Sequence, residues 1–339
     1  MKGKTVVIGG GSWGTALAQS LANKGYEVLL YVIEEGLKED INKKHINTMY
    51  FPDVKLYKKI MVTYDLKEAL NFSKYVVISI PTQYMDEIMK KASPFLNDDQ
   101  IIISTAKGIE EKTFRRNSQI IAEWCNNQVV VLSGPTHAEE VINGIPSAAV
   151  AASEDEKASK LVQHLFMSPD FRLYTNFDVV GVELAAAVKN IMAVAAGITD
   201  GLDYGDNTKA ALITRGLAEM SRLGNYLGGH PLTFSGLAGM GDLVVTCTSK
   251  HSRNRGFGNY IGRGFTFDEA LKKVGQVVEG VKTARAVYKW YEERNNNLDF
   301  DIPITRQVYE VLFNGKNPHK AVDDLMLRGP KYERDKIVE

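Results

Sequence analysis

The stretch AAAVKNIMAVAAG, residues 185–197, sets one ammonium group, Lys189, and one amide, Asn190, into a run that is otherwise alanine, valine, isoleucine, methionine and glycine. At helical spacing the neighbours of Lys189 are Ala185, Ala186, Met192 and Ala193, so no carboxylate shares its face within a turn. Burying a lone ammonium costs several kcal/mol unless it is paired or its pKa falls until it goes neutral. A lysine of lowered pKa can give and take a proton near neutral pH. The bland alternative is a snorkelling lysine, its stem on apolar surface and its head in water.

A second chemical pattern lies near the start, in VIGGGSWGTALAQ, where Gly9, Gly11 and Gly14 match G-x-G-x-x-G. Glycines at this spacing allow a tight turn after a strand and seat a pyrophosphate on the amides of a helix N-terminus. Glu34, in YVIEE about twenty residues past the last glycine, is placed to accept hydrogen bonds from the adenosine ribose, or else is a solvated strand-end carboxylate. Residues 31–36, YVIEEG, offer no cation to a 2′-phosphate, so Ile33 and Glu34 favour NAD over NADP.

These residues need a scaffold. The runs TVVIG, EVLLYVI, YVVISI, IIIST and QVVVLS read as buried strands, with helical patterns such as WGTALAQSLANKG and QYMDEIMKKASPFL between them. Strands that are apolar throughout and alternate with helices predict a parallel sheet covered on both faces, a doubly wound α/β (Rossmann) domain, continued through SAAVAAS and FRLYTN. From Asp178, a candidate N-cap, the pattern turns helical over 179–199, 207–227, 267–273, 279–292 and 303–313, with SGLAGMGD and RNRGFGNYIGRG as glycine-rich connections. The expectation is a dinucleotide-binding domain over 1–177 and an all-helical substrate-binding and catalytic domain over 178–339, with Lys189 near their junction.

Composition sets bounds on the rest. The 339 residues are 44% hydrophobic and 24% charged, with 41 basic and 41 acidic side chains, so no charge excess points to nucleic acid or an anionic membrane. Cys125 and Cys247 form neither a disulfide framework nor a metal-ligand spacing, and no metal is expected. The opening MKGKTVVIGGG leaves no room for a signal peptide's apolar core, and the most apolar stretch, 181–198, is interrupted by Glu183, Lys189 and Asn190. A cytoplasmic protein without a membrane span is expected.

The blocks GGGSWGTALA, STAKGIE, LSGPTHAEE, GVELAAAVKNIMAVAAGITDGL, GLAGMGDLVVTC, SRNRGFG and VVEGVKTARAV, in this order, resemble the NAD(P)-dependent glycerol-3-phosphate dehydrogenases from residue 4 to about residue 313. The resemblance implies interconversion of sn-glycerol 3-phosphate and dihydroxyacetone phosphate and a supply of glycerol 3-phosphate for glycerophospholipid synthesis; the sequence leaves the oligomeric state open, with a homodimer as one option. It places Lys189 on the catalytic lysine and Lys107 on a second lysine that meets both cofactor and substrate. Asn190, Asp242 and Thr246 fall on the polar lining around the substrate, Ser252, Arg253 and Asn254 on the phosphate grip, and Gly134 and Thr136 on a turn that meets substrate. Ser12, Trp13, Tyr50, Ala138, Val277 and Glu279 fall on cofactor contacts, which Arg253 shares.

Two departures stand out. Many bacterial members carry arginine or histidine where Ile33 stands, and TCTSKHSRN has a longer spacing before the arginine than the eukaryotic pattern. In this scheme desolvation and the nearby Lys107 lower the pKa of Lys189, and the alanines around it leave room for substrate or serve close helix packing. Asp242 can also be a turn residue, and none of the six histidines needs a catalytic role. The competing functions are a two-domain hydroxyacid dehydrogenase with a carboxylate substrate and a non-catalytic NAD(H)-sensing protein. Lys107 and the SRN loop argue against the first, and the joint presence of Lys107, Lys189, Asp242 and Arg253 against the second.

Overall fold

The computed structural model describes residues 3–294, 297–330 and 332–333, so the outermost residues of the two expected domains, 1–2 and 334–339, lie outside the described residues. Among the described residues there are ten strands: β1 (Lys4–Ile8), β2 (Glu27–Tyr31), β3 (Ile46–Asn47), β4 (Phe51–Lys55), β5 (Ile60–Thr63), β6 (Tyr75–Ile78), β7 (Ile101–Ser104), β8 (Gln128–Ser133), β9 (Ser147–Ala152) and β10 (Phe171–Asn176). Eight of them form one sheet in the order β10-β9-β8-β7-β6-β1-β2-β5, while β3 and β4 make a separate antiparallel pair.

Neighbouring strands point to both faces, as a doubly wound sheet requires. Val7 of β1 packs with Leu17, Val28 and Leu30 on one side, and Val6 and Ile8 pack with Val76, Ile102 and Ile120 on the other. The expected all-parallel sheet needs one correction. β8 and β9 pair antiparallel, Leu132 opposite Ala151, so β9 and β10 run against the rest. An apolar strand looks the same to its neighbours in either direction, and no residue type in SAAVAAS specifies which one.

After β10 comes the helix Val179–Gly201, whose N-cap Asp178 accepts from the Gly181 amide at 2.8 Å. It is the core of the second half, surrounded by Asp206–Tyr226, Asp242–Thr248, Arg253–Gly262 and Glu279–Glu292. Among the described residues it is also the one helix long and apolar enough to cross a membrane, and 89% of its most apolar window is buried within the protein.

The two stretches expected as glycine-rich connections are largely helical: Leu237–Gly241 is a π-helical turn leading into Asp242–Thr248, and Arg253–Gly262 is an α-helix. Their glycines serve contact, not looseness. A Cβ on Gly258 would lie 2.1 Å from the Val194 carbonyl oxygen, and one on Gly197 would lie 2.0 Å from that of Arg255, so the two backbones touch where side chains would otherwise separate them.

Candidate active site

A cleft of about 620 Å³ opens between the carboxyl edge of the sheet and the helical half. One end is built by the turn after β1. A Cβ on Gly14 would sit 2.0 Å from the Gly9 carbonyl oxygen, whereas Gly11 faces open space. The helix Ser12–Asn23 that follows has Gly11 as its N-cap, no side-chain cap and no acidic residue in its first turn. Its free amides and positive dipole end face the cleft beside Gly9, Gly11, Ser12 and Trp13, which suits a pyrophosphate. Gly14 does not line the cleft; it closes the turn behind it.

Glu34 also lines the cleft, but β2 ends at Tyr31, two residues before the expected strand end, and Glu34 sits in the following turn with its carboxylate accepting from the Ile33 amide at 3.1 Å. Ile33 is 77% exposed. Burial, and then the Glu34 carboxylate, push the Tyr50 phenol up, while Arg253 pulls it down, so both charges reach Tyr50 across the cleft. Lys91, on the helix Met85–Ala92, joins the same wall with its ammonium 2.6 Å from Glu87. Nothing in the sequence marks that lysine as a residue of the cleft.

The other end holds the lysines. Lys189 is 4% exposed, so it does not snorkel, and another helix supplies the carboxylate that its own face lacks within a turn. Its Nζ donates to Oδ1 of Asp242 and to Oγ1 of Thr246, both at 2.7 Å. The Nζ of Lys107 donates to the other oxygen of Asp242 and to the Gly134 carbonyl, both at 2.8 Å, and reaches Oγ1 of Thr136 at 3.5 Å. Two ammonium groups thus share one buried carboxylate. Burial lowers the pKa of Lys189 to about 8, with Asp242 opposing the shift and Lys107 reinforcing it. Burial pushes the Asp242 carboxyl up, but Lys107 and Lys189 together hold it below its ordinary value.

A chain of amides extends from this centre. Asn190 donates to the Lys107 carbonyl at 2.9 Å and accepts from the Asn254 side-chain amide at 2.9 Å, and the Asn254 carbonyl oxygen accepts from the Gly280 amide at 2.9 Å. Arg253 opens the helix Arg253–Gly262, whose first turn has no acidic residue, and its guanidinium is exposed in the cleft wall with Gln276 at 3.2 Å. Ser252 is the N-cap, its hydroxyl oxygen accepting from the Arg255 amide at 3.2 Å, which shapes this turn and leaves the O–H able to donate. Ala138, Val277 and Glu279 also line the wall, and the Thr82 amide donates to Glu279 at 3.4 Å.

Of the expected site residues, all but Gly14 and Gly134 line this single cleft. Gly134 contributes only the carbonyl that holds Lys107. The alanines do not leave room for a ligand. Ala185, Ala186 and Ala193 are fully buried and absent from the cleft wall, so their small size serves helix packing alone. His137 and His251 also line the cleft, their rings 6.1 Å apart, although neither is among the expected site residues. Burial and the two ammonium groups hold His137 below its usual pKa.

Comparison with known proteins agrees with this geometry. Residues 4–159 match the family model of the NAD-dependent glycerol-3-phosphate dehydrogenase N-terminus, and residues 178–323 that of its C-terminus. A Halothermothrix orenii protein called glycerol-3-phosphate dehydrogenase [NAD(P)+] is 59% identical over 100% of this chain and 99% of its own. Its namesake in Bacillus subtilis is 46% identical over 99% of this chain and 97% of its own. The crystal structure of the Coxiella burnetii glycerol-3-phosphate dehydrogenase superposes with a TM-score of 0.91 at 36% identity, covering 96% of this chain and 99% of that one. With both halves matched and relatives aligned end to end, the chain belongs to the NAD-dependent glycerol-3-phosphate dehydrogenase family.

Proposed function

We propose that this protein interconverts sn-glycerol 3-phosphate and dihydroxyacetone phosphate using NAD(P)(H). One observation carries the assignment of roles: a proton-transferring lysine of lowered pKa and a glycine turn with free helix amides lie in the same cleft. Residues 1–177 bind the dinucleotide and residues 178–339 supply most of the substrate site. The bound dinucleotide supplies or accepts the hydride at C2.

In the reducing direction Lys189 Nζ gives a proton to the C2 oxygen as negative charge develops there, and in the oxidising direction the neutral amine takes it back. Loss of that proton leaves Lys107 and Asp242 as a balanced pair, so the buried site passes from one net positive charge to none. The same cation, Lys107, polarises the carbonyl. Arg253 and Asn254, at an acid-free helix N-terminus, hold the phosphate.

NAD is the favoured dinucleotide, because Glu34 repels a 2′-phosphate and Ile33 offers it no donor. The setting we infer is a cytoplasmic homodimer that supplies glycerol 3-phosphate for glycerophospholipid synthesis. The test is oxidation of NADH or NADPH by purified protein with dihydroxyacetone phosphate, followed by absorbance. Oxidation that depends on the phosphorylated ketone is expected, and failure with both dinucleotides overturns the assignment.

A further inference from the structure

Lys107 does not sit on a strand or helix. It lies in a hairpin between β7 and the helix Asn117–Trp124, closed by a bridge between Ile109 and Arg116 and by the Glu110 amide donating to the Arg115 carbonyl at 3.0 Å. By chain connectivity the hairpin belongs to the nucleotide domain, where Arg115 pairs with Asp86 and Lys107 meets Gly134, yet a second set of its contacts lies on the helical half. Phe114 stacks on Trp290 with ring centroids 5.0 Å apart, and Glu111 pairs with Arg285 at 2.9 Å. Asn190 holds the Lys107 carbonyl.

The strongest tether is Glu183, 2% exposed, on the same helix as Lys189. Its carboxylate accepts from Arg116 Nη1 at 2.6 Å, from the Ser118 amide at 2.7 Å and from the Ser118 hydroxyl at 2.6 Å. Between these residues Asn117 donates to the Gly108 carbonyl at 3.0 Å, next to Lys107 itself. A buried carboxylate with three donors, none of them in the cleft, has no part in the proposed chemistry. It fixes the return side of the hairpin, at Arg116 and Ser118, and Asn117 between them ties that side to the one carrying Lys107.

We propose that Glu183 is a positioning residue: by tying the hairpin to the lysine-bearing helix it sets where Lys107 meets Asp242, so that Lys107 belongs mechanically to the substrate half. This rests on the reading of Lys107 as part of the substrate end. If the tether is lost, Lys107 drifts from Asp242 and substrate suffers, while the glycine turn that holds the dinucleotide is untouched. The titratable groups acting on Lys189 are Asp242 and Cys247 from one helix, Lys107 from the hairpin and His137 from the loop before Ala138. Withdrawal of the Lys107 cation therefore raises the pKa of Lys189.

The experiment compares Glu183→Ala, Glu183→Gln, Lys107→Met and the Glu183→Ala/Lys107→Met double variant. For Glu183→Ala we expect kcat/KM for dihydroxyacetone phosphate to fall about tenfold to 100-fold, the scale of a small misplacement of a reacting group. NADH affinity by fluorescence stays within about twofold, and the pH midpoint for glycerol 3-phosphate oxidation moves up. Glu183→Gln, which keeps an acceptor for the Ser118 amide, falls between and carries the test if the alanine variant does not fold. In the Lys107→Met background, Glu183→Ala adds less than about twofold. A crippled Lys107→Met beside a wild-type-like Glu183→Gln and Glu183→Ala overturns the inference, as does a full further loss in the double variant or an unmoved pH midpoint. Wild-type turnover by Lys107→Met instead overturns the reading of Lys107, and the inference with it.

Discussion

The ammonium of Lys189 lies 2.7 Å from Oδ1 of Asp242, across 53 positions of sequence and with both side chains buried. That carboxylate holds the pKa of Lys189 up against burial, and Lys107 takes its other oxygen. Below its pKa Lys189 is charged and cannot accept a proton, so glycerol 3-phosphate oxidation should rise with pH to a plateau above about 8. Asp242→Asn removes the group that favours the charged form, so the midpoint should move to lower pH while the maximum falls. Breaking a buried pair from one side also costs stability, about 3–5 kcal/mol, readable as a lower unfolding midpoint. A midpoint that moves up in this variant contradicts the arrangement.

Arg253→Ala should raise KM for dihydroxyacetone phosphate with a smaller change in its activity on unphosphorylated dihydroxyacetone, which lacks the group being held. A charge-assisted bond to phosphate is worth roughly 1.5–3 kcal/mol. Equal losses on both ketones would assign Arg253 to the dinucleotide or to the helix start instead.

For the dinucleotide, kcat/KM should favour NADH over NADPH, and Ile33→Arg with Glu34→Ser should move the ratio toward NADPH by adding a cation and removing a repulsive carboxylate. Ile33 is exposed and the Glu34 carboxylate bonds locally to the Ile33 amide, so the double change leaves the sheet intact. Titration of both dinucleotides against both proteins measures it, and an unmoved ratio removes Glu34 from the ribose site.

Much of this arrangement is legible along the chain because its causes are local. The glycine turn announces itself by spacing, and QVVVLS and FRLYTN mark β8 and β10 to the residue. What escapes is tertiary. The partner of Lys189 lies on another helix, the reversal of β9 depends on its connection and not its composition, and Lys91 reaches the cleft wall only through the fold. Glycine misleads for a physical reason. The residue that loosens a loop also lets two helices touch, and RNRGFGNYIGRG does the second.

That contact predicts a stability effect with no catalytic origin. Gly258→Ala would place Cβ 2.1 Å from the Val194 carbonyl oxygen, backbone against side chain with no flexible end to yield. The helices must part, at a cost of about 1–3 kcal/mol, the range for overpacked cores. Thermal unfolding should show a lowered midpoint, and an unchanged one would mean that the two helices are not in backbone contact.

The central claim is that Lys189 moves the proton that accompanies hydride transfer, and kcat of Lys189→Ala for dihydroxyacetone phosphate reduction at saturating NADH tests it most directly. Loss of a general acid lowers the rate by roughly 10²–10⁴-fold, and NADH affinity should stay close to wild type because Lys189 lies at the substrate end of the cleft. A variant that folds and keeps more than about a tenth of the wild-type kcat contradicts the claim.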